Sequence, residues 1–524
     1  MSIQPVLIDG EWITSTASKT FQAVNPATRE PLADEYPVSD WDEVERAIQA
    51  ADAAFRATRG WPGERFAKFL ERFADNIESR AEALVVAANL ETALPAPTRL
   101  GGVELPRTTN QLRQAAAAAR DGSWSNPTID TNTNIRAMFG PIGPVAVFGP
   151  NNFPFAFNSV AGGDFAAAVA AGNPVIAKGH SSHPQTTRLL AEAAHEAAKE
   201  TDMPSGFVQL IYRTNHDDGE KLVSHPLMAA TGYTGARGAG LVLKQAADRA
   251  GKPIYLELSS INPVFYLEGA LTERLEALAD EFTGSCLMGT GQFCTNPGLV
   301  VVPGGDKADE FVAAVTERFG AAAVGTMLGE GVQRNFAKGI TTLKNAGAEI
   351  LTGGETGGGS GYSCGNTLLR TTGAKFLKDP ETFQTEAFGN SSLIVVADNV
   401  AQMAEIAEHL EGNLTGCIYS DTTGGDDDAY DAVAPALRRK VGRLLNDKMP
   451  TGVAVSAAMN HGGPYPATGH AGFTAVGIPA SIPRFAMLEC YDNIRPHRLP
   501  DVLKDENPGE TWRLVDGAWS QGNV

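Results

Sequence analysis

The sequence predicts an α/β protein made of two successive alternating regions and a small β arm. Three observations carry this. From residue 144 short apolar runs (PVAVFG, PVIAK, FVQLIY, MAATGYTG, PIYLELSS) alternate with helical stretches such as HPQTTRLLAEAAHEAAKE and RGAGLVLKQAADRAG. That alternation is the pattern of a parallel sheet with helices on both faces. A second alternating region begins near Asn262 and runs to roughly residue 460. The 524-residue chain, 43% hydrophobic and 20% charged, is long enough for two or three domains.

In chain order, DWDEVERAIQAADAAFRA opens the folded region, with Val44, Ala47, Ile48, Ala51, Ala54 and Phe55 on one helix face. Acidic Asp40, Asp42 and Glu43 suit its first turn. Alanine-rich helical pattern continues through about residue 120, including QLRQAAAAAR. TNTNIRAMFGPIGPVAVFG and, near the end, RFAMLECYDNIRP read as strand-like arms. Isolated strands need partners, so the two are expected to pair with each other and with a neighbouring subunit. The first alternating region has the layout of a dinucleotide-binding unit. The second reads NPVFYLE, a helix to about Cys286, GLVVVPG and the helix DEFVAAVTERFG. Its Gly-rich loop GGETGGGSGYSCGN and Gly-Asp loop TTGGDDDAYD read as surface connections.

A formal charge of −19 argues against nucleic acid or anionic membrane as partners. The N-terminus lacks a basic region followed by an apolar one, and no uncharged apolar stretch approaches a bilayer-spanning length. A cytoplasmic protein is therefore expected. Five cysteines without a CxxC pair imply neither a disulfide framework nor a zinc knuckle. The nine histidines show no ligand spacing, so no catalytic metal is expected.

Cys294 lies in GQFCTNPG, between a Gly-Gln entry and an Asn-Pro-Gly exit. Gly291 and Gly298 would let a substrate approach closely, as a nucleophilic thiol needs. A buried structural cysteine fits the same window, and the two readings stand level on it alone. In TGYTGARGAG a predicted strand meets Gly235 and Gly240 before a helix, whose unpaired first amides favour a pyrophosphate.

Together with GPNNFPFAFNS, AKGHSSHP, LELSSINP, GQFCTNPG and TEAFGN, in that order along nearly the whole chain, these features resemble the NAD(P)-dependent aldehyde dehydrogenase superfamily. The resemblance implies that family's fold, with a Rossmann-type cofactor domain, an α/β catalytic domain and a small β oligomerisation arm. It implies a cofactor domain of residues 1–123 and 148–259, to which 460–483 return. A catalytic domain would span 260–459, and the arm and C-terminal tail 124–147 and 484–524. It assigns Cys294 as the nucleophile, Asn152 as an oxyanion donor and Glu257 as the base that activates water. Lys178 matches the adenosine-ribose lysine, and Glu386 with Phe388 the nicotinamide-ribose pair. Gly235, Gly240 and Leu258 fall in the cofactor cleft.

Three residues after Lys178, NAD-preferring relatives carry an acidic side chain; here the residue is Ser181, which leaves room for a 2′-phosphate. His180 or Arg213 would supply positive charge. NADP is thus expected to be preferred, with NAD possible. Phe153, Phe157, Phe293 and Thr295 are expected along the aldehyde tunnel, while one or two of the aromatics at 153, 155 and 157 belong to the core.

Departures from the commonest pattern narrow the branch: Asn151 before Asn152, Ser259-Ser260 after the base, and HGGPYPAT at 461–468. The combination is similar to the branch containing bacterial alpha-ketoglutaric semialdehyde (2,5-dioxopentanoate) dehydrogenases and an NADP-dependent fatty aldehyde dehydrogenase. A ketoacid semialdehyde is the first expectation for substrate and a medium or long aliphatic aldehyde the second. The former's carboxylate needs a partner, for which Ser159, Thr295 or an arginine from a distant segment are the candidates. A cysteine hydrolase or acyltransferase without redox cofactor is the rival from another class. It leaves TGYTGARGAG, Lys178 and TEAFG unexplained. The resemblance also implies a homodimer or homotetramer.

Overall fold

Runs buried on both faces, such as Val145–Phe148, Val175–Lys178 and Val208–Ile211, form the interior of a parallel sheet in the computed structural model, which describes residues 3–524. Across this sheet the order is Ile254–Glu257, Ala230–Thr234, Val145–Phe148, Val175–Lys178 and Val208–Ile211, all parallel. The chain starts in the middle, moves one way for two strands, then returns to the other side. The reversal lies between Val145–Phe148 and Ala230–Thr234, where open α/β sheets bind ligands beyond their strand ends.

The N-terminal segment corrects the expectation that folding begins at the first helix. Val6–Ile8 and Glu11–Ile13 extend the same sheet antiparallel, with Leu7 opposite Leu210. Three-residue strands carry too little alternation to register in sequence; here they pair with each other, and Val6–Ile8 also with a partner far along the chain. The Trp41–Thr58 helix follows, capped by Asp40 accepting from Glu43 N at 3.1 Å. Its Val44, Ala47, Ile48, Ala51 and Ala54 are buried as expected, whereas Phe55 is only partly so.

The second sheet also has seven strands: Glu349–Thr352, Thr367–Thr372, Ser391–Ala397, Leu299–Pro303, Val264–Tyr266, Asn413–Tyr419 and Val441–Asn446. All but the first pair in parallel. Its two loops do more than connect. Asp426, buried in the Gly-Asp loop, accepts from Gly269 N and Ala270 N at 3.0 Å and so caps the Glu268–Leu287 helix. In the Gly-rich loop Tyr362 N donates to Pro26 O at 3.0 Å.

The two arms do pair with each other: Ala486–Asp492 runs antiparallel to Ile135–Pro141, Leu488 opposite Phe139. Thr128–Asp130 and two strands of the tail, Arg513–Val515 and Ala518–Ser520, complete a five-stranded sheet. Among the described residues no helix is long and apolar enough to cross a membrane.

One fully buried amide fixes where the arms leave the core. Asn173 Oδ1 accepts from Ile142 N and Gly143 N at 2.9 Å. Its Nδ2 donates to Ala168 O at 3.1 Å and to Phe485 O at 2.7 Å. Asn173→Ala orphans these groups in a dry interior. It is expected to lower stability by about 2–4 kcal/mol, read as a fall in the denaturation midpoint.

Candidate active site

Cys294 sits on a loop whose path only glycine permits at Gly291. There φ is +65°, and a Cβ would lie 2.1 Å from Gly389 O. Asn262 Nδ2 donates to the carbonyls of Cys294 and Asn296, each at 2.9 Å. Gln292 Oε1 accepts from Leu328 N at 2.8 Å, and Asn152 Nδ2 donates to Gln292 O at 3.1 Å. The half-buried thiol is therefore held by bonds on both sides of it.

Glu257 ends its strand, and residues 467–469 lie alongside. Leu258 N donates to Ala467 O at 2.8 Å and Gly469 N to Leu256 O at 3.0 Å. This return brings His461 between the two groups singled out in sequence. Its Nε2 is 3.4 Å from Cys294 Sγ and 3.0 Å from Glu257 Oε1, with imidazole and carboxylate both buried. Glu257 Oε2 is buried without a partner. The three side chains, within 4.8 Å of one another, are also a trio that could hold a metal ion. Burial pushes the Cys294 thiol pKa well above its ordinary value, the charge of Glu257 adds to this, and Arg107 opposes it. A thiol so placed needs a base to become nucleophilic, and the imidazole and carboxylate together can receive its proton.

Above the thiol stand aromatic rings. Phe153 packs edge-on to Phe157 at 5.2 Å and to Phe293 at 5.6 Å, and Phe157 lies 5.6 Å from the His461 ring. Phe155 belongs instead to the main core. Thr295 is buried and accepts from Gly452 N at 3.2 Å, which ties its hydroxyl to the loop beyond the second sheet. Ser159 Oγ is buried without a partner.

At the sheet reversal, the Arg237–Arg249 helix begins with no side-chain cap, so its first amides are open. A Cβ on Gly240 would lie 2.5 Å from Leu258 Cδ2 and 2.9 Å from Tyr233 Cε1, and one on Gly235 2.8 Å from Tyr233 Oη. The close helix–sheet approach and the open amides fit a dinucleotide phosphate. Glu386 accepts from Ser260 N at 3.4 Å; burial raises its pKa to about 7, against that bond and with the charge of Glu257. Glu386 and Phe388 line a cavity with Ser260, Gly291 and Phe293.

Lys178, His180, Ser181 and Arg213 form a separate group at the strand ends on the other side. Burial lowers the Lys178 pKa to about 8, Arg213 adding to the effect. Burial, with His183, Lys178 and Arg213, pulls His180 well below its ordinary value. In the protein without ligands the cations of this group are therefore Lys178 and the exposed Arg213.

Four residues of the site were not picked out in sequence. His461 stood in HGGPYPAT as a branch marker only. Arg99, Glu104 and Arg107 come from what reads as plain helix. Residues Ala96–Glu104 form a wider π-helix that runs into the Leu105–Asp121 helix. Such turns are frequent at functional sites. Glu104, fully buried, accepts from Phe155 N at 2.8 Å and Ala156 N at 3.0 Å and pairs with Arg99 at 2.5 Å.

The model of the Aldehyde dehydrogenase family matches residues 12–463. The chain is 39% identical to alpha-ketoglutaric semialdehyde dehydrogenase 2 of Azospirillum brasilense, covering 98% of each chain. It is 36% identical to the alpha-ketoglutaric semialdehyde dehydrogenase of Acinetobacter baylyi, again over 98% of each. Among solved structures, 1-pyrroline-5-carboxylate dehydrogenase from Thermus with bound NAD superposes with a TM-score of 0.80 at 22% identity, covering 94% of this chain and 92% of that one.

Because Glu257 raises the thiol pKa, Glu257→Gln is expected to move the pH profile of Cys294 alkylation by iodoacetamide to lower pH in the protein without ligands. An unmoved profile would mean that the carboxylate is not felt at sulfur.

Proposed function

The chain belongs to the aldehyde dehydrogenase family, and from that premise we propose that it oxidises 2,5-dioxopentanoate (alpha-ketoglutaric semialdehyde) to 2-oxoglutarate, with NADP as its preferred acceptor. As a member of that family it is an oxidoreductase acting on aldehydes. The observation that carries the substrate reading is the similarity, over 98% of the chain, to two enzymes that bear that name.

The chemistry proceeds from the site's own groups. Cys294 loses its proton to His461, 3.4 Å away, which releases it to solvent before deacylation, so that Glu257 is still ionised when water arrives. The thiolate adds to the aldehyde carbon to give a thiohemiacetal. Asn152 and the Cys294 backbone N–H serve as oxyanion donors, one such donor being worth about 3 kcal/mol. NADP, when bound by Lys178, the open helix start and Glu386, supplies an acceptor for the hydride that leaves as the oxyanion collapses. The acyl group then remains on Cys294 as a thioester. Glu257, reaching water directly or through His461, takes its proton so that hydroxide displaces the thiolate and releases the acid. The buried, unpartnered Oε2 of Glu257 is suited to holding that water.

NADP preference is supported by Ser181, which brings no negative charge beside the ribose, and by Arg213 close to Lys178. The aromatic wall of Phe153, Phe157 and Phe293 favours a second reading, medium or long aliphatic aldehydes. A homo-oligomer is supported by the Ala486–Asp492 strand at a sheet edge, where Met487 is 49% and Leu488 63% exposed.

Reduced-cofactor formation by the purified protein tests the reading. The semialdehyde with NADP is expected to lead straight-chain aldehydes, and NAD, by tenfold or more in kcat/KM, with Cys294→Ala inactive. A lead for long aliphatic aldehydes would replace the substrate, and turnover by Cys294→Ala would remove the mechanism. Glu257→Ala is expected to give one burst of NADPH per site and then stall; an unchanged steady rate would take Glu257 out of deacylation.

A further inference from the structure

A carboxylate carried into an apolar tunnel must meet a cation there, because an unpaired buried charge is too costly to leave. Three arginines approach the aromatic wall or the thiol, and their existing bonds separate them. Arg99 is already neutralised by Glu104 at 2.5 Å and donates to Asn152 O at 3.2 Å. Arg443 leaves its buried Nε without a partner but spends both terminal nitrogens, one on Pro450 O at 2.9 Å and the other on Met459 Sδ at 3.7 Å, so it holds its own loop. Arg107 differs. Among the described residues it has no carboxylate within ion-pair distance; its Nε reaches only Gln111 Oε1, at 3.3 Å. Its Nη2 is buried with no partner. The guanidinium lies 5.2 Å from the Phe157 ring and 5.7 Å from the Phe153 ring, against the buried aromatic cluster that includes Phe293 beside Cys294. It is close enough to Cys294 to offset part of the upward push on the thiol.

We propose that Arg107 is the specificity residue that binds the substrate's distal carboxylate, through its unpartnered Nη2 and the face of the guanidinium turned from Gln111. The assignment rests on the ketoacid semialdehyde reading above. The geometry is that of a cation held in place before its anion arrives. Phe153 and Phe157 restrain the plane of the guanidinium by cation–π contact. Glu104 is occupied by Arg99 and by two backbone amides, so it does not compete for Arg107. A planar fork with a free edge is matched to a carboxylate in a way that a lysine ammonium is not. The same cation would favour an anionic substrate over an uncharged aldehyde of equal length, which gains nothing from it.

The test compares the semialdehyde with pentanal in the wild type, Arg107→Met, Arg107→Lys and Arg443→Met, all with the same cofactor. The quantity read is the ratio of kcat/KM for the semialdehyde to that for pentanal, which cancels general loss of active protein. The wild type is expected to prefer the semialdehyde. Arg107→Met is expected to cut the ratio at least a hundredfold, mainly through KM for the semialdehyde, with Arg107→Lys restoring part of it. Arg443→Met should keep the ratio within about threefold of wild type. A preference that survives in Arg107→Met, or that collapses in Arg443→Met instead, would overturn the assignment while leaving the substrate reading intact. A wild type without the preference would overturn both. Should Arg107→Met not fold, Arg107→Lys together with calorimetric binding of 2-oxoglutarate to Cys294→Ser and to Arg107→Lys/Cys294→Ser decides. Weaker binding in the double variant supports the anchor, and equal binding removes it.

Discussion

The pairing of residues 467–469 along the Ile254–Glu257 strand is the constraint on which the site depends. Glu257 belongs to the first sheet, Cys294 to a loop before a strand of the second, and His461 to the segment returning from the second sheet to the first. Two backbone hydrogen bonds, Leu258 N to Ala467 O and Gly469 N to Leu256 O, fix that return. His461 is further held by its N–H on Thr474 Oγ1 at 2.9 Å and its carbonyl under Ala475 N. A side chain that must contact both sulfur and carboxylate tolerates little displacement, so backbone bonds, the Thr474 hydroxyl and the Phe157 ring together set its position.

Around this point the structure places several charges in a dry environment and satisfies them unequally. Glu104 is fully bonded, by two amides and Arg99. Asn262 has its amide on two carbonyls of the Cys294 loop. Glu257 Oε2 and Arg107 Nη2 are not bonded. Buried polar atoms without partners are few in folded proteins, and these two belong to side chains whose charges both act on the Cys294 thiol.

Much of this was legible in the chain. Alternation of apolar runs and helices marked the parallel strands because strands buried on both faces read as unbroken apolar segments. The Cys294 window alone left a nucleophile and a buried structural cysteine level, and it was the family resemblance of the ordered motifs that singled out both Cys294 and Glu257. His461 was not singled out, since one histidine beside two glycines has no spacing to interpret and its partners lie 204 and 167 positions away. Arg107 was hidden for another reason. It stands in the first turn of the Leu105–Asp121 helix, just after the Ala96–Glu104 π-helix, whose widening leaves no mark in a sequence read at 3.6 residues per turn. Val6–Ile8 was missed because it and its hairpin partner Glu11–Ile13 are three residues each, too short to show alternation.

Glu386 carries a consequence of a thermodynamic kind. Its carboxyl is held to about pH 7 by burial, with the Ser260 amide lowering it and Glu257 raising it. Near neutrality it is therefore divided between acid and anion. A positively charged ring settling beside it would favour the anion and expel the remaining fraction of a proton. By linkage, affinity for such a ring then rises with pH through neutrality, while a ring that has lost its charge gains no such advantage. The measured heat of binding would accordingly change with the ionisation enthalpy of the buffer. The site would hold the oxidised form of a ligand more firmly in mildly alkaline surroundings and discriminate less between the two redox forms in mildly acidic ones.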